Sequence, residues 1–265
     1  MTARESNCCN SSRPGAIRTM QPSPVVVASR LPCSPDLTGG GFGMPSSSSP
    51  SGLMLPDTLP LFPLPGALLL PRGQIPLNIF EPRYLVMVDA ALAGSRLIGM
   101  VQPDPGVVDR IGLPQIYRVG CAGRITQFAE TGDGRYLIQL TGISRFRIVE
   151  ELSVITPFRQ AQVDFAPYSA DRSPGAGENE VDREGMLAAL RKFSDANKVP
   201  IDWGSIEQAG NEALVNGLSM MSPYGVREKQ ALLEAETLKD RAEMLIAITE
   251  MDLARKDGDE EPRLQ

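Results

Sequence analysis

Apolar and polar residues follow two different periods along the chain, strand-like in the first part and helical in the later part. Across residues 135–140, Tyr136, Ile138 and Leu140 form an apolar set that alternates with a more polar set. This two-residue period is typical of a half-buried strand. The TGDG segment at 131–134 joins two apolar runs and predicts a hairpin. The strand-like runs lie at residues 96–102, 116–130, 135–152 and 158–165.

Two short apolar runs broken by proline precede these strands. They are LPLFPLP at residues 59–65 and LLLP at residues 68–71. Proline cannot donate a hydrogen bond to a strand ladder, so such runs are typical of edge strands and turns. We therefore expect edge strands and turns at the beginning of the folded part.

One amphipathic helix is predicted between the proline-broken runs and the main strands. Pro82 suits the first turn of a helix, where its missing N–H costs little. The helix is expected to end at Gly94. Its apolar positions have the spacing i, i+3, i+4, i+7 and i+8, which predicts one buried stripe. They are Tyr84, Met87, Val88, Ala91 and Leu92.

Helical periodicity dominates after a polar break at residues 168–179, which we interpret as a linker. One helix is predicted from Val181 to Ala196. A second helix is predicted to begin at Ser205, whose side chain would cap it, with Gln208 completing a capping box. The apolar face of this second helix would comprise Ile206, Ala209, Ala213, Gly217 and Met220.

Two further helices are predicted near the end of the chain. The proline after Ser222 would restart a short helix that runs through Leu233, and Thr237 would cap a last helix running to about Arg255. Residues 256–265 are rich in charge and predict an acidic, disordered tail. The buried side of the last helix would comprise Leu238, Ala242, Leu245 and Ile248 or Thr249.

Residues 1–53 differ in composition from the rest of the chain. They are rich in Ser, Pro and Gly, and they lack the apolar content needed to offset the entropy of ordering. We favour a disordered or artefactual leader. A mitochondrial or plastid transit peptide is an alternative, because arginine outnumbers acidic residues in this segment. A mis-assigned start is a third interpretation, with Met44 or Met54 as the true first residue.

Together these patterns predict an α+β protein with five segments. A leader at 1–53 would precede a β-rich subdomain at 54–167, and a linker at 168–179 would connect it to a helical subdomain at 180–255. The acidic tail at 256–265 would follow.

Composition excludes several kinds of chemistry. The chain contains no histidine, which excludes Ser-His-Asp and Cys-His catalysis and any imidazole-ligated zinc site. The four cysteines form no C-x-x-C pair, so we expect neither a disulfide framework nor a thiolate metal site. No apolar run is long enough to cross a membrane. We therefore expect a protein of a reducing, cytoplasmic compartment.

Charge and motifs add little in favour of catalysis or nucleic-acid binding. Residues 54–179 carry a net charge of −1 and residues 180–265 carry −7, so no broad basic surface is expected. Phosphate-binding loops of the Walker type and G-x-S-x-G elbows are absent. Glu150 and Glu151 are adjacent and would point to opposite faces of a strand. Cys121 lies in an alternating strand and is expected to be a core residue.

Six motifs follow one another between residues 57 and 255. They are PLFPLPG (60–66), IPLNIFEPRY (75–84), GCAGRITQF (120–128), DGRY (133–136), LTGISRFRI (140–148) and KQALLE (229–234). This order of motifs resembles the N-terminal, substrate-binding domain of Lon proteases, known as the LON domain. The resemblance covers nearly all of the chain after the leader.

The resemblance implies a fold and a function. The fold would be a β-rich, PUA-like pseudo-barrel followed by a helical subdomain. The ATPase and Ser-Lys protease modules of full-length Lon have no counterpart in the chain, so we expect a stand-alone, non-catalytic polypeptide-binding module. It would act as an adaptor or recognition factor in protein quality control or proteolysis. The expected partners are unfolded or tagged polypeptides and a Lon-type or other ATP-dependent protease, without cofactor, metal or membrane.

Several residues of the motifs are candidates for polypeptide contact. Structural roles compete with that interpretation. Phe80 and Tyr84 are expected in the core, and Glu81 and Arg83 are expected to cap the helix or to pair locally. Arg145 and Phe146, which alternate on a strand, are expected to be architectural. The candidate polypeptide-binding residues are Leu77, Ile79, Phe80, Arg83, Tyr84 and Met100.

RNA binding is the alternative function, and it rests on the PUA-like fold alone. Arginines from several strands would have to gather on one sheet face, with an aromatic ring for base stacking. The net charge of −1 in this region argues against it. The residues concerned are Arg118, Arg124, Arg135, Arg145 and Arg147, with Tyr136 or Phe146.

Overall fold

The computed structural model describes residues 55–108, 114–198 and 200–259. The predicted leader at 1–53 lies outside the described residues, together with its three interpretations. The described strands are β1 (Thr58–Pro63), β2 (Gln74–Ile79), β3 (Leu97–Val101), β4 (Pro103–Val108), β5 (Pro114–Ile116), β6 (Val119–Glu130), β7 (Tyr136–Glu151) and β8 (Gln160–Asp164). The described helices are α1 (Pro82–Ala93), α2 (Arg183–Asn197), α3 (Trp203–Gln208), α4 (Asn211–Met221), α5 (Val226–Glu234) and α6 (Leu238–Asp259).

Five strands close into a barrel. β3 pairs with β1 in parallel and with β6 antiparallel, and β6 pairs with β7. The ring closes because β8 pairs with both β1 and β7. The 16-residue strand β7 makes this possible: its first half pairs with β2 and its last residues pair with β8. The predicted α+β class, with a β-rich barrel before the helices, is confirmed.

The interior of the barrel is filled by one aromatic ring. Phe146 on β7 is fully buried, and its ring atoms lie 2.9 Å and 2.6 Å from where a Cβ on Gly99 and Gly120 would stand. Since a larger side chain at either position would displace the ring, both glycines are required by packing. The architectural role expected for Phe146 follows from this packing, and the rest of the interior is lined by Leu59, Leu61, Leu97, Val101, Ala122, Ile148, Ala161 and Val163.

A second, larger apolar cluster lies on the outer faces of β3 and β6. Helix α1 and the C-terminal helices contribute to it together with the buried segment Leu68–Leu70. Both faces of β3 are therefore buried, which explains why all five of its residues are inaccessible. Cys121 is buried here as predicted.

The proline-broken runs fold differently from the prediction of edge strands. β1 is an interior strand with β3 on one side and β8 on the other. The edge position is taken by β2, which contains Pro76 and lies outside the strands predicted from the sequence. Residues 68–70 form no strand, although they are buried. Proline content alone did not distinguish an edge strand from a short interior one.

Helix α1 agrees with its sequence signals. Pro82 occupies the first turn, and the helix is followed by Gly94. Tyr84, Met87, Val88 and Ala91 are buried as predicted, whereas Leu92 is half-buried.

The predicted helix from Ser205 to Met220 is wrong, because two helices occupy this stretch. The cap of α3 is Asp202, which accepts the Ser205 N–H at 3.2 Å. α3 ends at Gln208, and Gly210 adopts an extended conformation before α4. The Arg183 guanidinium stabilises the interruption between α3 and α4, because it donates hydrogen bonds to the carbonyl oxygens of residues 206, 207 and 209.

The remaining helices match the predictions with shifted ends. α2 begins at Arg183 after an Asp182 cap, and α5 begins at Val226 rather than at the earlier proline. Thr237 caps α6 as predicted, because Asp240 N–H donates to its hydroxyl oxygen at 3.0 Å. α6 continues to Asp259, so part of the predicted tail is helical. None of the described helices has the length and apolar content needed to cross a membrane.

Residues 168–179 pack closely against the rest of the protein. They contain 3-10 turns at Ala166–Arg172 and Glu178–Glu180. Tyr168 and Asp171 are both buried. Most other residues of the segment are exposed, and its assignment as a linker between subdomains stays a prediction.

Candidate functional site

A groove of about 950 Å³ lies at one end of the barrel. We call it the proline groove, because five prolines line it. Its floor and walls come from the end of β1, the first turn of α1, the beginnings of β4 and β5, and the segment that joins β7 to β8. The lining residues are Pro63, Pro65, Arg83, Tyr84, Pro103, Pro114, Glu151, Leu152, Ser153, Val154, Ile155, Thr156, Pro157, Phe158 and Arg159.

The segment between β7 and β8 exposes apolar side chains at the rim of this groove. Ile155 is fully exposed, and Val154 is partly exposed. The segment is nevertheless anchored, because Thr156 Oγ1 donates to the Phe158 carbonyl oxygen at 3.0 Å and Phe158 is buried. Covering an isoleucine side chain stabilises a complex by about 1.5–3 kcal/mol. The rim therefore offers apolar surface in a fixed place.

The charges at the groove are compensated within the protein. Arg159 donates to both carboxylate oxygens of Glu151 at 2.8 Å and 2.9 Å, and also to the Pro114 carbonyl oxygen at 3.0 Å. Arg83 pairs with Glu81 at 2.8 Å, as predicted. The groove is thus suited to neutral, apolar segments rather than to strongly charged ones.

Tyr84 forms the link between the groove and the core. Its ring packs edge-on against Phe62 with 4.5 Å between the ring centroids. The Arg83 guanidinium lies 4.6 Å from the same ring, in a cation–π arrangement. Burial raises the pKa of the Tyr84 hydroxyl, so this side chain stays neutral under physiological conditions.

The six predicted contact residues do not come together at one surface. Arg83 and Tyr84 line the groove. Ile79 and Met100 are buried in the core, and Leu77 is half-buried against it, so packing accounts for all three. Phe80 was expected in the core, but this is wrong: it is 61% exposed. Its ring lies 6.0 Å from the Arg135 guanidinium and does not line the groove.

Sequence reasoning missed the rim of the groove. Val154 and Ile155 carried one signal: two β-branched apolar residues between a serine and a Thr-Pro pair, directly after a strand pattern ends. Such residues normally prefer a strand. Here they lie between β7 and β8, where no other described element covers them, so they stay exposed. Pro103 and Pro114 gave no signal, because only the barrel brings them near α1.

The motif around Arg145 joins the barrel to the helices. Arg145 Nε and Nη2 donate to the two carboxylate oxygens of Asp171, at 2.9 Å and 2.8 Å. Nη1 donates to the carbonyl oxygens of Leu233 and Ala235, at the end of α5. The ring of Tyr168 lies 4.5 Å from the guanidinium. Arg145 thus joins β7, the 3-10 turn and α5, as an architectural residue.

The alternative RNA surface is not formed as predicted. Arg145 is buried in its ion pair, and Phe146 is buried inside the barrel. Neither side chain reaches a surface where it could contact a phosphate or stack on a base. The predicted arginine set therefore lacks Arg145, and of the two alternative stacking rings only Tyr136 is partly accessible.

Three features of the described residues concern candidate catalytic groups. No group of three or more His, Cys, Asp or Glu side chains among them is arranged to hold a metal ion. Burial raises the pKa of the Cys121 thiol far above neutral pH, so it is a poor nucleophile. Glu151 is neutralised by Arg159.

Comparisons with known proteins agree with this architecture. Residues 58–250 match the family described as the ATP-dependent protease La (LON) substrate-binding domain. A Lon protease of Desulfosudis oleivorans is 31% identical over 197 residues, which is 71% of this chain and 23% of that protein. Lon protease 2 of Sorangium cellulosum is 29% identical over 213 residues, covering 78% of this chain and 26% of that protein. The chain thus spans about a quarter of the length of these relatives.

Solved structures show the same fold. A Lon N-terminal domain protein from Xanthomonas campestris superposes with a TM-score of 0.52 at 24% identity, covering 72% of this chain and 97% of that one. The N-terminal domain of a Mycobacterium avium complex Lon protease gives 0.51 at 17% identity, covering 73% and 98%. Since the family match covers most of the chain, this protein belongs to the LON substrate-binding domain family.

Proposed function

We propose that this protein is a non-catalytic recognition module that binds extended, apolar segments of unfolded or tagged polypeptides in the proline groove. The observation that carries the proposal is the fully exposed Ile155, held at the rim of an apolar and charge-compensated groove. Membership of a substrate-binding family supports it. By analogy with its relatives, the module would act as an adaptor that presents such segments to a Lon-type or other ATP-dependent protease.

Binding would depend mainly on apolar contact. The prolines of the groove lack N–H donors, so the walls offer mainly apolar surface to a bound chain. The anchored segment at Ile155 would contact one or two large side chains of the polypeptide. Because the rim charges are already paired, a segment carrying several charges would lose hydration without gaining partners.

The test is fluorescence anisotropy with a labelled, permanently unfolded model protein and with short apolar peptides, in the absence of ATP. Ile155→Asp is expected to weaken binding by about 10-fold to 100-fold, the equivalent of one lost isoleucine contact. Val86→Asp is the matched control, because Val86 is an exposed apolar residue of α1 outside the groove. Absence of binding by the wild type at high micromolar concentration would refute the proposal, and equal losses in both variants would place binding elsewhere.

The adaptor role needs a separate experiment. A Lon-type protease from the same host would be supplied with an unfolded substrate, with and without this protein. Faster degradation in its presence, lost in Ile155→Asp, is the expected result. An unchanged degradation rate, with peptide binding intact, would restrict the function to binding alone.

A further inference from the structure

One wall of the proline groove is a tight turn that depends on outside support. Residues Leu64 to Ala67 form this turn, closed by the Ala67 N–H to the Leu64 carbonyl oxygen at 3.4 Å. Gly66 has a φ of +75°, as expected at the third position of a type II turn after proline. The neighbouring Pro63 and Pro65 line the groove. The position of this turn therefore determines the position of the wall.

Two side chains form hydrogen bonds with the backbone of Gly66, one with its carbonyl oxygen and one with its N–H. Lys229 of α5 donates from Nζ to the Gly66 carbonyl oxygen at 2.8 Å. Gln102, which follows β3, accepts the Gly66 N–H at its Oε1 at 3.2 Å. The residue after Gln102 is Pro103, which also lines the groove. Lys229 and Gln102 thus connect to two groove prolines: Pro65, in the turn after β1, and Pro103, the first residue of β4.

The support belongs to the helical part of the protein. Gln102 Nε2 donates to the Val226 carbonyl oxygen and to Gln230 Oε1, both at 3.3 Å. Gln230 in turn donates to the Val119 carbonyl oxygen at 3.2 Å. Lys229 and Gln230 are the first residues of the KQALLE motif, and their burial shows that this motif attaches α5 to the barrel.

The burial of Lys229 is not explained by an ion pair. The side chain is 8% exposed, and no described carboxylate lies within ion-pairing distance of it. Burial lowers its pKa accordingly. A methionine would fill the same space without that cost of desolvation. What lysine adds at this position is its donation to the Gly66 carbonyl oxygen and, more weakly, to the Met220 carbonyl oxygen at 3.5 Å.

We infer that Lys229 is a positioning residue, through which helix α5 fixes the turn at Gly66 and so shapes the proline groove for peptide binding. This inference rests on the proposed function, since its consequence is measured as peptide affinity. Lys229 does not line the groove itself, and its effect passes through the backbone of Gly66 to Pro65. The helical part of the protein thereby contributes to recognition without contacting the polypeptide.

The experiment compares Lys229→Met, Lys229→Arg and Lys239→Met in the full chain. The first removes the donor and keeps the apolar stem, the second keeps a cationic donor, and the third is a matched substitution of an exposed lysine on α6. Amide hydrogen exchange is measured at Gly66 and Ala67, and peptide affinity is measured by anisotropy at equal folded fractions.

In Lys229→Met, exchange at the turn is expected to accelerate about tenfold, as for the loss of one charge-assisted hydrogen bond. Peptide affinity is expected to fall about tenfold, with exchange in β7 unchanged. Lys229→Arg should keep the exchange rate and the peptide affinity close to the wild-type values. Lys239→Met should change neither quantity. If Lys229→Met does not fold, Gln102→Leu removes the other support of Gly66 and is expected to give the same two changes.

Three outcomes would overturn the inference. Unchanged exchange at Gly66 and Ala67 would show that Lys229 does not hold the turn. Accelerated exchange with unchanged affinity would show that the turn does not shape the binding site. A wild type that binds no peptide would refute the proposed function before any variant is compared, and the binding role of Lys229 with it.

Discussion

The buried ion pair between Arg145 and Asp171 allows a quantitative test of how strongly side-chain contacts between the barrel and the C-terminal helices stabilise the protein. The two side chains are 4% and 8% exposed. The Arg145 guanidinium donates two charge-assisted hydrogen bonds to the Asp171 carboxylate. The Arg145 backbone N–H donates a third hydrogen bond to Asp171 Oδ2 at 2.9 Å. The same guanidinium binds carbonyl oxygens at the end of α5, where the negative end of the helix dipole lies. Arg145→Met would remove all of the side-chain interactions at once.

The expected loss of stability is large. Removing one partner of a buried pair costs about 3–5 kcal/mol, because the other charge stays buried without compensation. The unpaired carbonyl oxygens of Leu233 and Ala235 would add about 1–3 kcal/mol. Domains of this kind are stable by about 5–15 kcal/mol in total, so the variant should retain only a small margin. Arg145→Lys should fall in between, because an ammonium cannot form the two-pronged contact.

Urea denaturation followed by circular dichroism measures these differences, and the double variant Arg145→Met/Asp171→Leu identifies their cause. If the buried carboxylate is the main source of the loss, the double variant should recover a large part of it and keep only the cost of the unpaired carbonyl oxygens. A loss below about 1 kcal/mol in Arg145→Met would refute the reasoning, since it would indicate a pair as weak as one at the surface.

Three further predictions concern packing, pH and activity. Gly142→Ala should destabilise the protein by about 1–3 kcal/mol, because the Leu70 carbonyl oxygen occupies the place of a Cβ; Gly132→Ala, with open space around it, is the urea-denaturation control and should change little. The Thr237 hydrogen bonds hold the pKa of Asp240 below its ordinary value of 3.8, so this stabilisation is present above pH 3.8 and is lost as pH falls through the lowered pKa. Thermal unfolding at pH 6 to 2 should show less acid sensitivity in Asp240→Asn, and equal sensitivity would contradict this assignment. The purified chain should neither cleave casein nor show salt-dependent retention on immobilised RNA, and either activity would reopen the corresponding function.

Local chemistry was sufficient for elements whose signals lie within a few residues. Pro82, the apolar stripe from Tyr84 to Ala91 and Gly94 predicted α1 correctly, because a helix depends on neighbours three and four positions apart. The alternation at 135–140 and the TGDG turn predicted β7 and its hairpin for the same reason. The helix predicted from Ser205 failed for a different reason: Arg183 binds the carbonyl oxygens where α3 ends, and the position of Arg183 depends on the fold.

The sequence by itself determined the class of the fold, the resemblance to the LON domain and most of the long elements, because periodicity and ordered motifs are written in the chain. Only the tertiary structure decided which strands stand at the edge, since pairing partners come from distant segments. It also decided that Ile79 and Met100 belong to the core while Ile155 is exposed. All three are apolar, and a hydrophobic side chain is buried only where other elements close over it. The proline groove likewise exists only in the folded protein, because it is formed by segments up to about a hundred residues apart whose meeting no local pattern records.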